Sequence, residues 1–441
     1  MDTVLLYILG IVIMLVGLGI SIGLHEVGHL LPAKKFGVKV GQYMIGFGPT
    51  LFSWRRGETQ YGVKALPLGG YISMAGMYPP ARAGVRGRTA TTGMFETLVQ
   101  EERATVHVDT VEEEERAFYR LPIYKRVIIM LGGPVMNLLL AVLFFGIVLC
   151  GFGVPTSTTT IGSVSECLVP VTANRADCAA GDPDAPAHEA GIEPGDRIVA
   201  VNGTPVSQVA DITAVIRASA DTPVAVTVER DGAQQQLTVT PALTTRYVLD
   251  ANGRQVLGAD GKAETEKVGF VGVGWATEVQ QQPVTAVLPA VGDTIGRLVT
   301  TIAHLPQRVV DLAVQTFGPG ERDPEGLIGV VGVGRIAGEI TSLNSVPVAD
   351  RAASLIQLVG GLNIALFVFN LIPLPPLDGG HVLVALIDGV RRLFARVTGR
   401  ERPKAIDAAK IIPVTLVVAT ILGGLTVLLL VADIIKPISV L

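Results

Sequence analysis

The segment His25-Glu26-Val27-Gly28-His29 has the residue types and spacing of a zinc-protease helix. Residues four apart lie on one face of a helix, so the two imidazoles could bind one tetrahedral Zn²⁺. Glu26, one step around the helix, could then take a proton from an attacking water. The segment follows an apolar run, residues 4–24, that is long enough to cross a bilayer. Each ionised group at membrane depth costs about 2.5 to 3.5 kcal/mol, so this placement predicts peptide-bond hydrolysis inside the membrane.

A third protein ligand is needed, and Asp378 is the candidate. It lies in a later apolar segment that is interrupted by Pro373, Pro375 and Pro376. Broken helices at membrane depth are tolerated only where they are buried in protein or line a cavity, so this break predicts an ion site. Two alternatives stay open, namely a turn-capping role for Asp378 and a chance match of the HExxH pattern.

The composition independently indicates a membrane protein. Hydrophobic residues make up 49% of the chain and charged residues 17%, with a mean hydropathy of +0.50. The net charge of -4 and the pI near 5.9 argue against nucleic acid as the main partner. The first apolar stretch has no basic residues before it and no small-residue cleavage pattern after it, so we expect it to be a retained span rather than a signal peptide.

Four transmembrane helices are predicted, at residues 4–31, 123–152, 355–372 running on to 386, and 411–434. Lys and Arg are concentrated in the first and third connections, which the positive-inside tendency places in the cytoplasm. Both termini and the large region 153–350 then face the exterior, and His25 and His29 lie near the cytoplasmic end of their span. The predicted fold class is therefore a multi-pass α-helical membrane protein.

The first connection is predicted to contain a membrane-associated β-hairpin. Residues 38–45, 51–54 and 60–65 have strand-like patterns, and a turn is predicted at residues 55–58. The edge of such a hairpin could hold an unwound substrate as an additional strand. The alternative is a purely structural cover.

The exterior region contains an α+β module. Strands are predicted at residues 197–201, 224–230 and 234–240, and a helix at residues 211–219. The module, about residues 159–242, resembles a bacterial PDZ domain, which would bind a peptide by strand addition or sterically guard the active site. A local disulfide between Cys167 and Cys178 is expected, with two free thiols as the alternative. Residues 286–317 have apolar positions at helical spacing interrupted by charges, which predicts helices on the outer membrane surface.

The motifs taken together resemble the site-2 protease family, specifically the bacterial branch of the regulator of sigma-E protease. The motifs are HEVGH at residues 25–29, GFGP at 46–49, GVKALPLGGYI at 62–72, GGPVMN at 132–137 and NLIPLPPLDGGH at 370–381. The resemblance implies His25, His29 and Asp378 as zinc ligands, Glu26 as the catalytic acid and base, and Asn370 as a substrate-binding or oxyanion-contacting residue. It also implies a bacterial inner-membrane enzyme that cleaves single-span membrane proteins, typically anti-sigma factors already cut by another protease.

The predicted domains follow from these assignments. They are the first transmembrane helix (1–36), a cytoplasmic loop with the hairpin (37–121), the second helix (122–153), the extracytoplasmic PDZ domain (154–283), amphipathic helices (284–349), the third transmembrane segment (350–390), a cytoplasmic connector (391–410) and the fourth helix (411–436). Two other functions remain possible, a membrane zinc transporter and a catalytically silent PDZ scaffold.

Overall fold

The computed structural model describes residues 2–78, 88–91, 115–169, 178–179, 181–248, 264–319, 322–323, 326–401, 406 and 412–438. The chain divides into two compact units. One consists of Met1–Phe152 together with Gln282–Leu441, and the other is Gly153–Gln281. Each unit has an apolar core of its own.

The helices in chain order are α1 (Asp2–Lys35), α2 (Ile123–Gly146), α3 (Pro186–Glu189), α4 (Val209–Ala218), α5 (Val287–Ala303), α6 (Leu305–Phe317), α7 (Val330–Ser342), α8 (Val348–Asn370), α9 (Asp378–Val397) and α10 (Ile412–Ile435). The strands are β1 (Val40–Arg56), β2 (Thr59–Tyr78), β3 (Arg88–Thr91), β4 (Val154–Val164), β5 (Arg197–Val201), β6 (Thr204–Pro205), β7 (Val224–Arg230), β8 (Ala233–Val239), β9 (Ala242–Tyr247), β10 (Thr265–Phe270) and β11 (Val273–Gln280).

Among the described residues, five helical stretches are long and apolar enough to cross a membrane. They are Thr3–Lys35, Ile123–Phe152, Val284–Ala303, Val348–Asn370 and Val414–Ile435. Many of their apolar side chains point away from the protein: Leu5 on α1 is 71% exposed and Ile421 on α10 is 64% exposed. Contact of this apolar surface with lipid carries no free-energy cost, whereas its exposure to water would be unfavourable. Four of the stretches coincide with the predicted spans. The fifth falls in the region predicted to lie on the membrane surface, so the count of four stays a prediction.

The third apolar segment is interrupted at its prolines. Helix α8 ends at Asn370, and a separate helix, α9, begins at Asp378 and contains the apolar continuation to residue 386. Proline lacks a backbone N–H and disfavours helical geometry in the residue before it, so the proline-rich link cannot be helical. Helix α9 also extends to Val397, into the stretch predicted as a connector, much of whose remainder (402–405 and 407–410) lies outside the described residues.

Strands β1 and β2 are long and bent, and together they build four rows of one sheet. Residues 42–45 of β1 pair with residues 60–63 of β2 on one side and with residues 70–73 on the other. Residues 52–56 fold back and pair with residues 59–63, which leaves this outer row as a sheet edge. The bend is at Gly46 and Gly48, whose φ angles of 92° and 84° are in the left-handed region that glycine adopts readily.

Hydrogen bonds hold the hairpin at two points. At α1, the Tyr43 hydroxyl donates to the carbonyl of Gly23 at 2.7 Å. At the turn, Arg116 donates two hydrogen bonds of 2.8 Å to Glu58, and this guanidinium holds the pKa of the Glu58 carboxyl below its usual range. The hairpin is thereby held beside α1.

The unit Gly153–Gln281 is a sheet with the strand order β11-β4-β5-β7-β8, and β6 pairs with β5. Its core contains Ile198, Ile212 and Val226, which come from two strands and α4. Strand β11 pairs with β4, so the module extends beyond the predicted residues 159–242. Strands β9 and β10 form a separate two-stranded ribbon.

Two features brace this unit. The buried Asp196 carboxylate accepts two 2.7 Å hydrogen bonds from Arg230, which lower the pKa of Asp196 below its usual value. Cys167 and Cys178 form the expected disulfide.

Candidate metal centre

Three potential metal ligands from distant parts of the chain meet at one point. The Nε2 atoms of His25 and His29 lie 3.2 Å apart. Asp378 Oδ2 lies 3.3 Å from the first of these nitrogens and 3.2 Å from the second. All three residues are buried, and in the described part of the chain they form a cluster that could hold a metal ion. The structure thus places the three residues predicted as zinc ligands close to one another.

The size of this triangle fits a zinc ion. Ligand atoms about 2.0 Å from a tetrahedral metal lie about 3.3 Å from one another, which matches the observed separations of 3.2 to 3.3 Å. Among the described residues, Asp378 Oδ2 has no hydrogen-bond partner even though both imidazole nitrogens are close. A buried carboxylate oxygen without such a partner is costly, so a cation at this point would satisfy it.

Glycines allow α2 to approach α1 at the level of the histidines. A Cβ on Gly28 would lie 2.2 Å from the carbonyl oxygen of Gly132, and one on Gly132 would lie 2.0 Å from that of Gly28. Neither contact is possible for a larger residue. Gly133 is placed still more critically, since its Cβ would lie 2.2 Å from His29 Nε2 and 2.7 Å from His25 Nε2. Because Gly133 has no side chain, space is left beside the Nε2 atoms of His25 and His29.

The same face of α2 orients both imidazoles. His29 Nδ1 lies 2.7 Å from the carbonyl oxygen of Ile129, which can only accept a hydrogen bond. His29 therefore carries its proton on Nδ1 and presents the lone pair of Nε2 to a metal. The amide of Asn137 lies 3.1 Å from His25 Nδ1 and is fully buried. Its oxygen, placed there by a half-turn of the amide, would accept from Nδ1–H and free the Nε2 of His25 in the same way.

Asp378 is positioned by the link between α8 and α9 folding over the start of α9. A Cβ on Gly379 would lie 2.4 Å from the carbonyl oxygens of Leu371 and Ile372, and one on Gly380 would lie 2.4 Å from the nitrogen of Pro375. The two glycines let the proline-rich link pack directly on the first turn of α9. Asp378 is thereby directed at the histidines on α1.

Glu26 and Asn370 line one cavity together with the candidate metal ligands His25 and Asp378. The cavity has a volume of about 390 Å³, and most of its walls are apolar. Glu26 is only 4% exposed, and a Cβ on Gly70 of the hairpin would lie 3.0 Å from its Cγ. Asn370 is the last residue of α8. Hence the structure brings together all five residues predicted for the site, along with the hairpin.

Sequence reasoning missed the supporting residues. Asn137 and Gly133 were given no site role within the motif at residues 132–137, but they lie directly against the histidines. The role of the Ile129 carbonyl cannot be predicted from the pattern of side chains, because it is a backbone group. Asn137 could have been noticed from the sequence, because it is an amide in the apolar part of its helix, one turn after a Gly-Gly-Pro sequence.

Comparison with known proteins places the chain among metalloproteases. The profile described as peptidase family M50 matches residues 13–410. The zinc metalloprotease Rip1 of Mycobacterium tuberculosis is 33% identical over 443 residues, which cover 98% of this chain and 99% of the relative. Rip1 of Mycolicibacterium smegmatis is 33% identical over 448 residues, 98% of each chain. The metalloprotease MmpA of Caulobacter vibrioides is 29% identical over 398 residues, covering 87% and 88% of the two chains.

The geometry predicts that Gly133→Ala abolishes zinc binding. Its methyl group would lie 2.2 Å from His29 Nε2 and would have to displace an imidazole or the ion. Gly146→Ala on the same helix is the matched control, because a Cβ there meets nothing within 4 Å in the described residues. Zinc content of the purified proteins, measured by mass spectrometry, checks this. Stoichiometric zinc in Gly133→Ala would refute the placement of the metal.

Proposed function

The chain belongs to peptidase family M50 and is a membrane zinc metalloprotease, and we propose that it cleaves a peptide bond within the transmembrane segment of single-span membrane proteins. The observation that carries the proposal is the convergence of Asp378, at the start of α9, with His25 and His29, which lie in a helix of membrane-spanning length. Anti-sigma factors already cut by another protease are the proposed substrates, by resemblance to the regulator of sigma-E protease branch. The proposed location is the bacterial inner membrane.

His25, His29 and Asp378 would hold the zinc ion, leaving one side of the cluster open to the cavity. Zinc, when bound, supplies a Lewis acid that activates water and polarises the scissile carbonyl. Glu26 takes the proton from the attacking water and delivers it to the leaving amine. Its buried position in the cavity wall suits this role, because general acid–base groups act best where bulk water is excluded.

The cavity is suited to an apolar, extended peptide. Met14, Leu18 and Ile22 of α1 form one part of its wall, and Leu362 and Leu366 of α8 form another. A substrate helix must unwind before its amides can be attacked, and each freed amide then needs a new hydrogen-bond partner. Asn370 lies in this wall and would supply one through its side-chain amide. Its alternative role is to satisfy the backbone at the end of α8.

The hairpin would supply further hydrogen bonds. Phe47, Gly69 and Gly70 line the cavity, and the outer row of the hairpin, residues 52–56, is paired on one side only within the described residues. Leu51, just before this row, and Phe52 and Trp54 on it are exposed, as expected for a surface that enters the membrane. We propose that the hairpin clamps the unwound substrate by strand addition.

The proposed orientation has the active site near the cytoplasm. Lys34 and Lys35 end the helix that carries the histidines, and the basic residues of α9 lie at its far end. Cytoplasmic enrichment of Lys and Arg would place both ends inside the cell. The unit Gly153–Gln281 would then be extracytoplasmic.

We propose that this unit is a PDZ domain that binds the C-terminus of a cleaved protein. A groove of about 340 Å³ is lined by α4, by the ribbon of β9 and β10 and by the start of β11, and its lining is mainly apolar. Arg246 also lines the groove, with its guanidinium 3.6 Å from the centre of the Phe270 ring. Burial lowers the pKa of Arg246, so a carboxylate would be a favourable partner for this cation. Steric exclusion of large ectodomains is the alternative.

A zinc transporter is a weaker explanation. A transport path needs successive polar sites across the membrane. The described residues contain one metal-binding cluster, His25, His29 and Asp378.

Glu26→Gln is expected to retain zinc but to lower the cleavage rate by about 10²- to 10⁴-fold, the usual contribution of a general acid–base group. Purified protein and a single-span substrate in liposomes, followed by electrophoresis, give the measurement. Glu278→Gln, at an exposed position on β11, is the control. Wild-type cleavage by Glu26→Gln would exclude the proposed mechanism, and zinc flux through it would favour transport.

Proline substitutions at residues 51–54 are expected to impair cleavage without removing zinc. Successive N–H groups of a strand point to opposite sides, so two of the four variants remove outward donors while the other two weaken the hairpin itself. Cleavage and zinc content are measured on the same preparations. Unchanged cleavage in all four variants would defeat the clamp proposal.

Peptides ending in Ala-Val with a free carboxylate are expected to change the fluorescence of Trp275, which lines the groove. The Trp54→Phe variant leaves Trp275 as the single tryptophan of the two in the chain. Arg246→Gln should weaken binding of the free acid by about 10-fold, the value of a charge-assisted hydrogen bond, and leave the amidated peptide unaffected. If the free-acid and amidated peptides give the same binding curve, C-terminal recognition is excluded and only steric exclusion by this unit remains.

A further inference from the structure

We propose that Arg126 and Asp388 are positioning residues of the metal centre. Their ion pair fixes α9, and with it the ligand Asp378, against α2. This inference rests on the proposed ligand role of Asp378 and deepens it.

The pair is buried and joins two elements far apart in the chain. Arg126 Nη2 donates to Asp388 Oδ2 at 2.9 Å, and the two side chains are 8% and 2% exposed. Two charges are kept out of water only at a substantial desolvation cost, so such a pair contributes more to specificity of position than to stability. The Arg126–Asp388 pair therefore determines where α9 packs on α2.

Arg126 lies on the face of α2 that touches the histidines. Ile129, Gly133 and Asn137 follow it by three, seven and eleven residues, the spacing of one helix face. Each of these three residues contacts His25 or His29. Hence one rigid face of α2 orients the two imidazoles and, through Arg126, holds the helix that carries the third ligand.

Within the described residues, helix α9 packs mainly on α2, with Gly389 against the side chain of Ile123. The link at residues 371–377 separates α9 from α8. Its other face is open: Val390 and Val397 are largely exposed. Asp388 lies ten residues beyond Asp378, about 15 Å along the helix axis. A shift of α9 at Asp388 therefore displaces Asp378 as well.

Arg392 provides a matched control within the same cluster. It donates to the same oxygen, Asp388 Oδ2, at 2.8 Å. Because Arg392 lies on α9 itself, four residues after Asp388, its bond cannot attach α9 to α2. Removing either arginine leaves Asp388 paired with the other, so neither variant creates an isolated buried charge.

The experiment compares Arg126→Gln with Arg392→Gln in the full-length protein purified in detergent. We expect Arg126→Gln to lose at least about 10-fold in zinc affinity, the lower end of what second-layer residues of metal sites contribute, and Arg392→Gln to stay within about 2-fold of wild type. Zinc affinity is measured by competition with a chelator. Hydrogen exchange at the first turns of α9 should rise in Arg126→Gln alone.

The outcomes are distinct. Equal zinc affinity for both variants, whether lost or retained, overturns the positioning role. If Arg126→Gln does not give monodisperse protein, Arg126→Lys, which keeps the charge with a shorter reach, must show an intermediate loss, and wild-type affinity in it overturns the proposal. Asp378→Asn tests the underlying site: full zinc binding in that variant would remove the proposed metal centre itself, independently of Arg126.

Discussion

The structure depends on bringing two buried imidazoles and a buried carboxylate to within 3.3 Å of one another. Such a cluster is unfavourable on its own, because the ligand lone pairs face each other and Asp378 Oδ2 has no hydrogen-bond partner among the described residues. A divalent cation bound between the three ligand atoms would remove this cost. The surrounding helices must then hold the cluster in place against its own repulsion.

Close helix packing provides that restraint. The contact of Gly28 with Gly132 lets α1 and α2 meet backbone to backbone, which small residues make possible where no hydrophobic effect drives association. Two turns earlier on α1, Ser21 accepts a hydrogen bond from Asn363 of α8, and both side chains are buried. The ligand helix α1 is thus held by α2 on one side and by α8 on another.

The interruption between α8 and α9 serves both structure and chemistry. A continuous helix could not direct Asp378 at α1, since its first-turn position depends on the link folding over Gly379 and Gly380. The same interruption places Asn370 at a helix end in the cavity wall. Irregular backbone at membrane depth is acceptable here because it is enclosed by protein and lines a cavity.

The sequence by itself determined the local parts of this protein. Helix periodicity put His25 and His29 on one face, prolines interrupted the third segment, and alternation marked strands such as β5 and β7. The tertiary structure decided the rest, since it depends on contacts between residues far apart. Asn137 meets His25 across 112 residues, and Arg126 meets Asp388 across 262. The local sequence pattern cannot specify which partner a buried amide or arginine contacts, because the partner depends on how the helices pack. Helix packing in turn depends on glycines that allow close contact, and their role is visible only when the two helices are seen together.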